Sequence, residues 1–176
     1  HSVDRLDEHL AWAAHEKPAA GVLLARVLGE EAARKIEQRI EWRIRKSGLS
    51  ERKTLEAFDW PFQPSLDKGL VLELARLDFV RRKDDLIITG KAGTGKSHIL
   101  QAIALCACRE QMRVRYARGV DLLDDLYAGL ADGTYAKRLR AWATVDFLVI
   151  DDVGLGQVKK RDDEPTAAHT MYDLID

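Results

Sequence analysis

Cysteine is scarce in this 176-residue chain: the two present, Cys106 and Cys108, stand two apart inside a helical pattern. That spacing offers no structural disulfide, and a reducing, cytoplasmic compartment is the default expectation. Proline occupies only four positions, so long stretches are open to regular structure. No apolar run approaches the ~18 residues of a membrane-spanning helix, so no membrane partner is expected. No signal peptide shows at the N-terminus. Neither sign of charge dominates, with 28 Lys and Arg against 29 Asp and Glu and a net charge of −1. A cationic field over the whole chain is thereby excluded, and nucleic acid could be met only by local clusters. The five histidines (His1, His9, His15, His98 and His169) are scattered without zinc-motif spacing. No Ser/His/Asp signature of acyl transfer is visible, nor any internal repeat. What is present suffices for a core: 46% hydrophobic and 32% charged residues, in a length that suits one domain with a helical appendage.

Three regions follow from composition. Residues 1–47 read as helical, with a break suggested by Pro18 and Gly21. The clearest helix runs from Glu30 to Lys46, with Ile36, Ile40 and Ile44 on one stripe. Gly48 is positioned as its C-terminal cap. Residues 48–83 hold the aromatic and proline-rich run Phe58 to Pro64, which predicts an extended collar packed on the core. A helix is expected to resume near Leu66 and reach about Arg82, with Leu70, Leu74 and Leu77 inward. Residues 84–176 alternate in the α/β manner. Strands are expected at Leu86–Thr89, Val114–Ala117 and Phe147–Ile150. Helices are expected at Ser97–Arg109, Val120–Leu130 and Tyr135–Ala143. Gly154 and Gly156 end the third strand, and Pro165–Ile175 reads as a closing helix. Strands separated by helices imply a parallel sheet and an α/β fold.

The chemistry concentrates in one octet. Gly90, Lys91, Ala92, Gly93, Thr94, Gly95, Lys96 and Ser97 fit G-x-x-x-x-G-K-[ST] without a mismatch, after an expected strand and before an expected helix, with His98 next on that helix. Glycines let backbone amides turn inward and approach a polyphosphate. The helix N-terminus adds unpaired N–H groups and a positive dipole end. In that arrangement Lys96 reaches the β- and γ-phosphates of ATP, and the Ser97 hydroxyl ligates Mg²⁺. Downstream, Phe147–Ile150 ends in Asp151 and Asp152, at the carboxyl edge of a sheet, where ligands of such sheets bind. Asp151 is expected to hold Mg²⁺ through water, and Asp152 to polarise the attacking water. An ordinary strand end followed by a polar turn is the competing reading of that pair.

Two basic clusters stand out. Between Ala33 and Lys53 eight basic residues face three acidic ones, and Arg39, Arg43 and Lys46 share a stripe with Lys35. The long crossover Arg118–Asp146 holds two helices, the second bearing Lys137, Arg138 and Arg140. Both clusters suit contacts to a DNA backbone, and both suit a solvated helix face.

Three segments together resemble the IstB-like ATP-binding proteins, helper ATPases of insertion-sequence transposition related to the DnaC-type helicase loaders. They are Arg52–Trp60, Gly90–Ser97 and Leu148–Leu155, in matching order across about residues 20 to 176. The resemblance implies a P-loop NTPase of the AAA+ initiator and loader clade, whose crossover carries an extra helix. It implies that Thr54–Phe58 borders the adenine pocket. It also implies that ATP-bound copies assemble on DNA and serve a transposase or, in the loader alternative, a replicative helicase. Lys96, Ser97, Asp151 and Asp152 carry over position by position. The sequence departs at Asp152, where many AAA+ proteins have Glu.

The resemblance further implies a C-terminal part beyond residue 176, with two more strands, a polar sensor, an arginine finger and a helical lid. One of those strands would lie between Leu86–Thr89 and Phe147–Ile150. Without it the two expected strands have no bridge, so the C-terminal part of the ATPase fold is expected to be missing from this chain. A truncated, non-catalytic nucleotide-binding module is then a further alternative, and a metabolite kinase a weaker one, for want of an acceptor site.

Overall fold

The computed structural model describes residues 2–153. The expected turn at Gly154 and Gly156 and the helix Pro165–Ile175 lie outside the described residues. The chain forms two compact units, His1–Glu41 and Trp42–Asp176.

In the first unit, α1 (Ser2–Glu16) turns back into the start of α2 (Ala20–Lys46). The break falls at Lys17–Ala19, where Pro18 bars the helical region to its predecessor and Lys17 takes φ +45°. Gly21, expected to share in the break, lies inside α2. The buried His9 places Nε2 3.1 Å from Glu30 Oε2, and Arg26 lies 4.3 Å from the Trp12 ring centre.

In the second unit, the end of α2 is capped by Ser47, whose hydroxyl donates to the Ile44 carbonyl at 2.8 Å. Gly48 follows at φ +83°, as its position past the helix end predicts. The Ser47 carbonyl then accepts from the Tyr116 N–H at 2.6 Å, tying the helix end to a strand edge. A Cβ on Gly48 would lie 2.6 Å from the Tyr116 carbonyl oxygen. Gly48→Ala is therefore expected to cost about 1–3 kcal/mol of stability, from backbone strain and this clash together. A lowered melting temperature checks it; an unchanged one would mean that this close approach is not maintained in solution.

The collar is a succession of turns rather than an extended segment. Asp59 and Pro61 favour local turns over extension: Asp59 Oδ1 accepts from the Phe62 N–H at 3.2 Å. Leu55 and Phe58 anchor it in the core, while Phe62 is exposed. The single helix expected over 66–82 is two, α3 (Lys68–Leu74) and α4 (Asp78–Arg82). Asp67 caps α3 by accepting from the Leu70 N–H at 3.1 Å, and the left-handed Leu77 (φ +65°) separates the two. Val71 and Leu77 are buried and Leu70 is exposed, which reverses the expected face at that position. Leu70, Val71, Leu72 and Leu74 are apolar almost all round, so periodicity alone does not choose the inward side.

The core is built on α5 (Lys96–Arg109), β1 (Val114–Arg118), α6 (Gly119–Asp132), α7 (Tyr135–Ala143) and β2 (Phe147–Asp151). The strands β1 and β2 pair in parallel, Val114 opposite Phe147 through Arg118 opposite Asp151. α5 buries Ile99, Ala102, Ile103, Leu105 and Cys108. Leu122, Leu126 and Trp142 of α6 and α7 pack with Ala117, Leu148 and Ile150. The two-helix crossover thus stands as expected. Among the described residues no helix is long and apolar enough to cross a membrane.

The first expected strand, Leu86–Thr89, is not one: it pairs with no other segment among the described residues, and Ile87 is 84% exposed. A strand is defined by its ladder. Among the described residues the ladder forms between β1 and β2, and none forms along 86–89.

Candidate functional site

The octet Gly90–Ser97 forms a turn that runs into α5. Gly93 and Gly95 take φ +76° and +84°, a left-handed backbone that glycine adopts without strain. Thr94 Oγ1 donates to the Lys91 carbonyl at 2.9 Å and closes the turn. The Lys96 ammonium folds back over the loop, donating to the carbonyls of Gly90 (2.9 Å) and Lys91 (2.7 Å). Lys96, Ser97 and His98 occupy the first turn of α5, where backbone N–H groups have no acceptor within the helix. The loop therefore gathers backbone N–H donors, a positive helix end and an ammonium with a third N–H to give. Phosphate oxygens are charged acceptors and bind such an ammonium more strongly than peptide carbonyls do.

The collar is attached to this loop at two places. Phe58 lies against Gly95 so closely that a Cβ there would sit 2.6 Å from Phe58 Cε2. His98 Nε2 lies 2.8 Å from the Thr54 carbonyl oxygen, and its ring meets Phe58 edge-on with centres 5.2 Å apart. The carbonyl can only accept, so Nε2 is the protonated nitrogen and donates. The Thr54–Phe58 segment thus stands beside the phosphate loop.

Asp151 ends β2 and is 7% exposed. Its Oδ1 accepts from the Asp152 N–H at 2.9 Å, and its Oδ2 accepts a short hydrogen bond from the Tyr116 hydroxyl. Register explains the second interaction: Tyr116 is opposite Val149, and Val149 and Asp151 share a sheet face. Gln101 Nε2 of α5 donates to the same hydroxyl at 3.4 Å. Burial and the Asp151 carboxylate push the Tyr116 phenol well above its usual range, so it remains a donor. Sequence reasoning missed Tyr116 and Gln101. The available signal was a tyrosine on a buried strand, whose hydroxyl needs a partner. Asp152 is exposed and takes φ +51°.

The basic residues divide. Lys46, Lys137 and Arg140 are exposed, as is Arg39. Arg43 is half-buried, with its Nε out of solvent. Arg138 is engaged inside the crossover, 2.5 Å from Asp125 and 2.8 Å from Asp132, with Nε donating to Thr134 Oγ1 at 2.8 Å. Trp142 Nε1 also donates to Asp125, at 2.8 Å, so Arg138 and Trp142 together join α7 to α6. Arg43 and Arg138 are thus both half-buried, and Arg138 is paired with two carboxylates.

A family profile described as IstB-like ATP binding protein matches residues 2–175. A protein of Geobacillus stearothermophilus, named as an ATP-binding protein of insertion sequence IS5376, is 30% identical over 152 residues, 86% of this chain and 59% of its own length. An insertion-sequence ATP-binding protein of Mycobacterium tuberculosis is 29% identical over 175 residues, 98% of this chain and 67% of the relative. One from insertion sequence IS1162 of Pseudomonas fluorescens is 32% identical over 155 residues, 87% of this chain and 64% of the relative. The chain thus spans roughly three fifths to two thirds of the length of these relatives. With the loop, the collar and the carboxylate pair in place, a match over nearly its whole length shows that this chain belongs to the IstB-like ATP binding protein family.

Proposed function

We propose that this chain binds ATP with Mg²⁺ at Gly90–Ser97 and acts within an insertion sequence as an ATP-dependent helper that meets DNA and a transposase. The observation that carries the reading is the loop itself, with its left-handed glycines, the Lys96 ammonium held over it and the first turn of a 14-residue helix behind it. The insertion-sequence names of the relatives support a transposase as the partner.

The residues present fit a magnesium ion. Each Asp151 oxygen has one hydrogen-bond donor and keeps a further acceptor position for a metal-bound water. No three His, Cys, Asp or Glu side chains converge among the described residues. Ser97 and Asp151 would accordingly share the ion with phosphate oxygens and water, the usual habit of Mg²⁺. When bound, the ion supplies charge neutralisation at the β- and γ-phosphates. The Lys96 ammonium binds the same phosphates, and Asp152 orients water toward the terminal one. Copies assembled in the ATP-bound state meet DNA backbone phosphates with basic residues of each unit, Arg39 in the first and Lys46, Lys137 and Arg140 in the second.

Titration with fluorescent ATP, displaced by unlabelled ATP and dependent on Mg²⁺, tests the nucleotide reading; absence of saturable binding would end it. The DNA reading is tested by the salt dependence of duplex binding. Arg39→Glu with Lys46→Glu should weaken binding to every sequence alike. It should also flatten the slope of log K against log salt by about one for each phosphate no longer neutralised. An unchanged slope would make the stripe solvated surface only.

A further inference from the structure

Each oxygen of the Asp151 carboxylate has one donor, and the two donors differ in where they are anchored. Oδ1 accepts at 2.9 Å from the N–H of Asp152, the adjoining residue, which moves with the same strand end. Oδ2 accepts from the Tyr116 hydroxyl, which stands on β1 and is fixed independently. The Tyr116 ring is buried, its N–H donates to the Ser47 carbonyl at 2.6 Å, and its strand pairs with β2 in register. An ionised carboxylate can only accept, so the single hydroxyl proton is committed to Asp151. The hydroxyl oxygen in turn accepts from Gln101 Nε2 at 3.4 Å.

Gln101 lies four residues after Ser97 on α5, and residues four apart share a helix face. The contacts from Gln101 through Tyr116 to Asp151 therefore bring this carboxylate to the side of α5 on which Ser97 stands. Both donors to the buried Asp151 are uncharged. They satisfy its hydrogen bonding and do not balance its charge, and the charge of a buried carboxylate is ordinarily balanced by a paired cation or a metal.

We propose that Tyr116 is a positioning residue for the magnesium ion of the nucleotide site: its hydroxyl fixes the orientation of the Asp151 carboxylate ahead of binding. The inference rests on the reading of Ser97 and Asp151 as the residues that hold that ion. An aspartate side chain turns about two torsions. With Tyr116 in place both are set, and no further ordering is needed when the ion binds. Without the hydroxyl, Oδ2 loses its donor from the sheet, and the cost of orienting the carboxylate is charged to the metal. The phosphates are spared, because they meet Lys96 and the amides of Gly90–Ser97 with or without it.

The quantity to measure is the magnesium enhancement, the ratio of ATP affinity in excess Mg²⁺ to that in EDTA. It is read on the whole chain by displacement of a fluorescent ATP analogue, with calorimetry beside it. In Tyr116→Phe the enhancement should fall about tenfold, or to unity if the parent's is smaller, while ATP affinity in EDTA stays within about twofold of the parent. Simple loosening of the site would instead weaken ATP in both conditions and leave the ratio unchanged. Replacement of Tyr116 by 4-aminophenylalanine restores an N–H donor on a ring of the same shape and should recover most of the enhancement. Replacement by 4-methylphenylalanine, of similar volume and without a donor, should not. That pair carries the comparison if Tyr116→Phe does not fold. An unchanged or increased enhancement in Tyr116→Phe would overturn the proposal, as would equal weakening in both conditions or no recovery with the amine. Asp151→Asn separates this inference from the reading beneath it. Enhancement lost in Asp151→Asn and kept in Tyr116→Phe refutes the role of Tyr116 alone. Full enhancement in Asp151→Asn, or none in the parent, removes the magnesium carboxylate and the role of Tyr116 with it.

Discussion

Lys96→Ala is expected to lower ATP affinity on the order of 10²-fold or more, while the melting temperature stays close to that of the parent. The size follows from removal of charge-assisted hydrogen bonds to two phosphates, each worth about 1.5–3 kcal/mol. The sparing of stability follows from what the side chain touches. Its ammonium donates to the carbonyls of Gly90 and Lys91, both exposed, and water replaces it there. Two effects are combined in the affinity. The phosphates are deprived of a cation, and the loop of the group that draws its two carbonyls together, so part of the loop's order must be supplied on binding. Fluorescent ATP titration beside a thermal melt measures both quantities. Unaltered affinity in this variant would remove the phosphate loop from the function altogether.

Asp152→Asn is expected to bind ATP within a few-fold of the parent and to turn it over at least ~10²-fold more slowly, the usual worth of a positioned base. Asn keeps the shape and cannot take a proton or orient water as a carboxylate does. Asp152 also stands in a left-handed backbone conformation at φ +51°, where Asn and Asp are the residues most readily accommodated after glycine. Asn is therefore the substitution least able to disturb the strand end. Phosphate release measured beside ATP binding separates the two effects. A variant that hydrolyses ATP as fast as the parent would show that Asp152 does not polarise the attacking water.

The two carboxylates of this site have unlike surroundings although they adjoin in sequence. Asp151 is buried and holds donors from Tyr116 and from the Asp152 backbone, whereas Asp152 is exposed. A fixed carboxylate suits a metal-bound water, and an exposed one suits a water that must exchange. The end of β2 separates the pair: Asp151 is its last residue, and the chain leaves the strand at Asp152, which takes φ +51°.

The turn Gly90–Ser97 was legible from eight contiguous residues, because the interactions that close it are local. Glycine freedom, the Thr94 hydroxyl and the first turn of α5 all lie within Gly90–Ile99. The helices of the crossover and the strands β1 and β2 were legible for the same reason: period and turn chemistry act over a few residues. The collar was recognised as irregular from its prolines and aromatics. Its attachment to Gly95 and His98 spans some 40 positions and left no local trace. Arg43 and Arg138 show the limit plainly. On a helical wheel they are basic residues among others, and only Asp125 and Asp132, brought alongside by the α6–α7 turn, make Arg138 part of the fold.

The amino-acid order alone determined a glycine-rich, lysine-bearing turn ahead of a helix and an apolar strand ending in two acids, since short-range sterics and hydrogen bonding fix such features. Tertiary structure alone decided which runs became strands. Leu86–Thr89 and Phe147–Ile150 are alike as sequences, yet only the second has a partner within reach. It decided too that Tyr116 would hold Asp151 and that Val71 rather than Leu70 would be buried. Each of those outcomes depends on a neighbour distant in sequence, and a residue's own chemistry does not specify which neighbour the chain will bring to it.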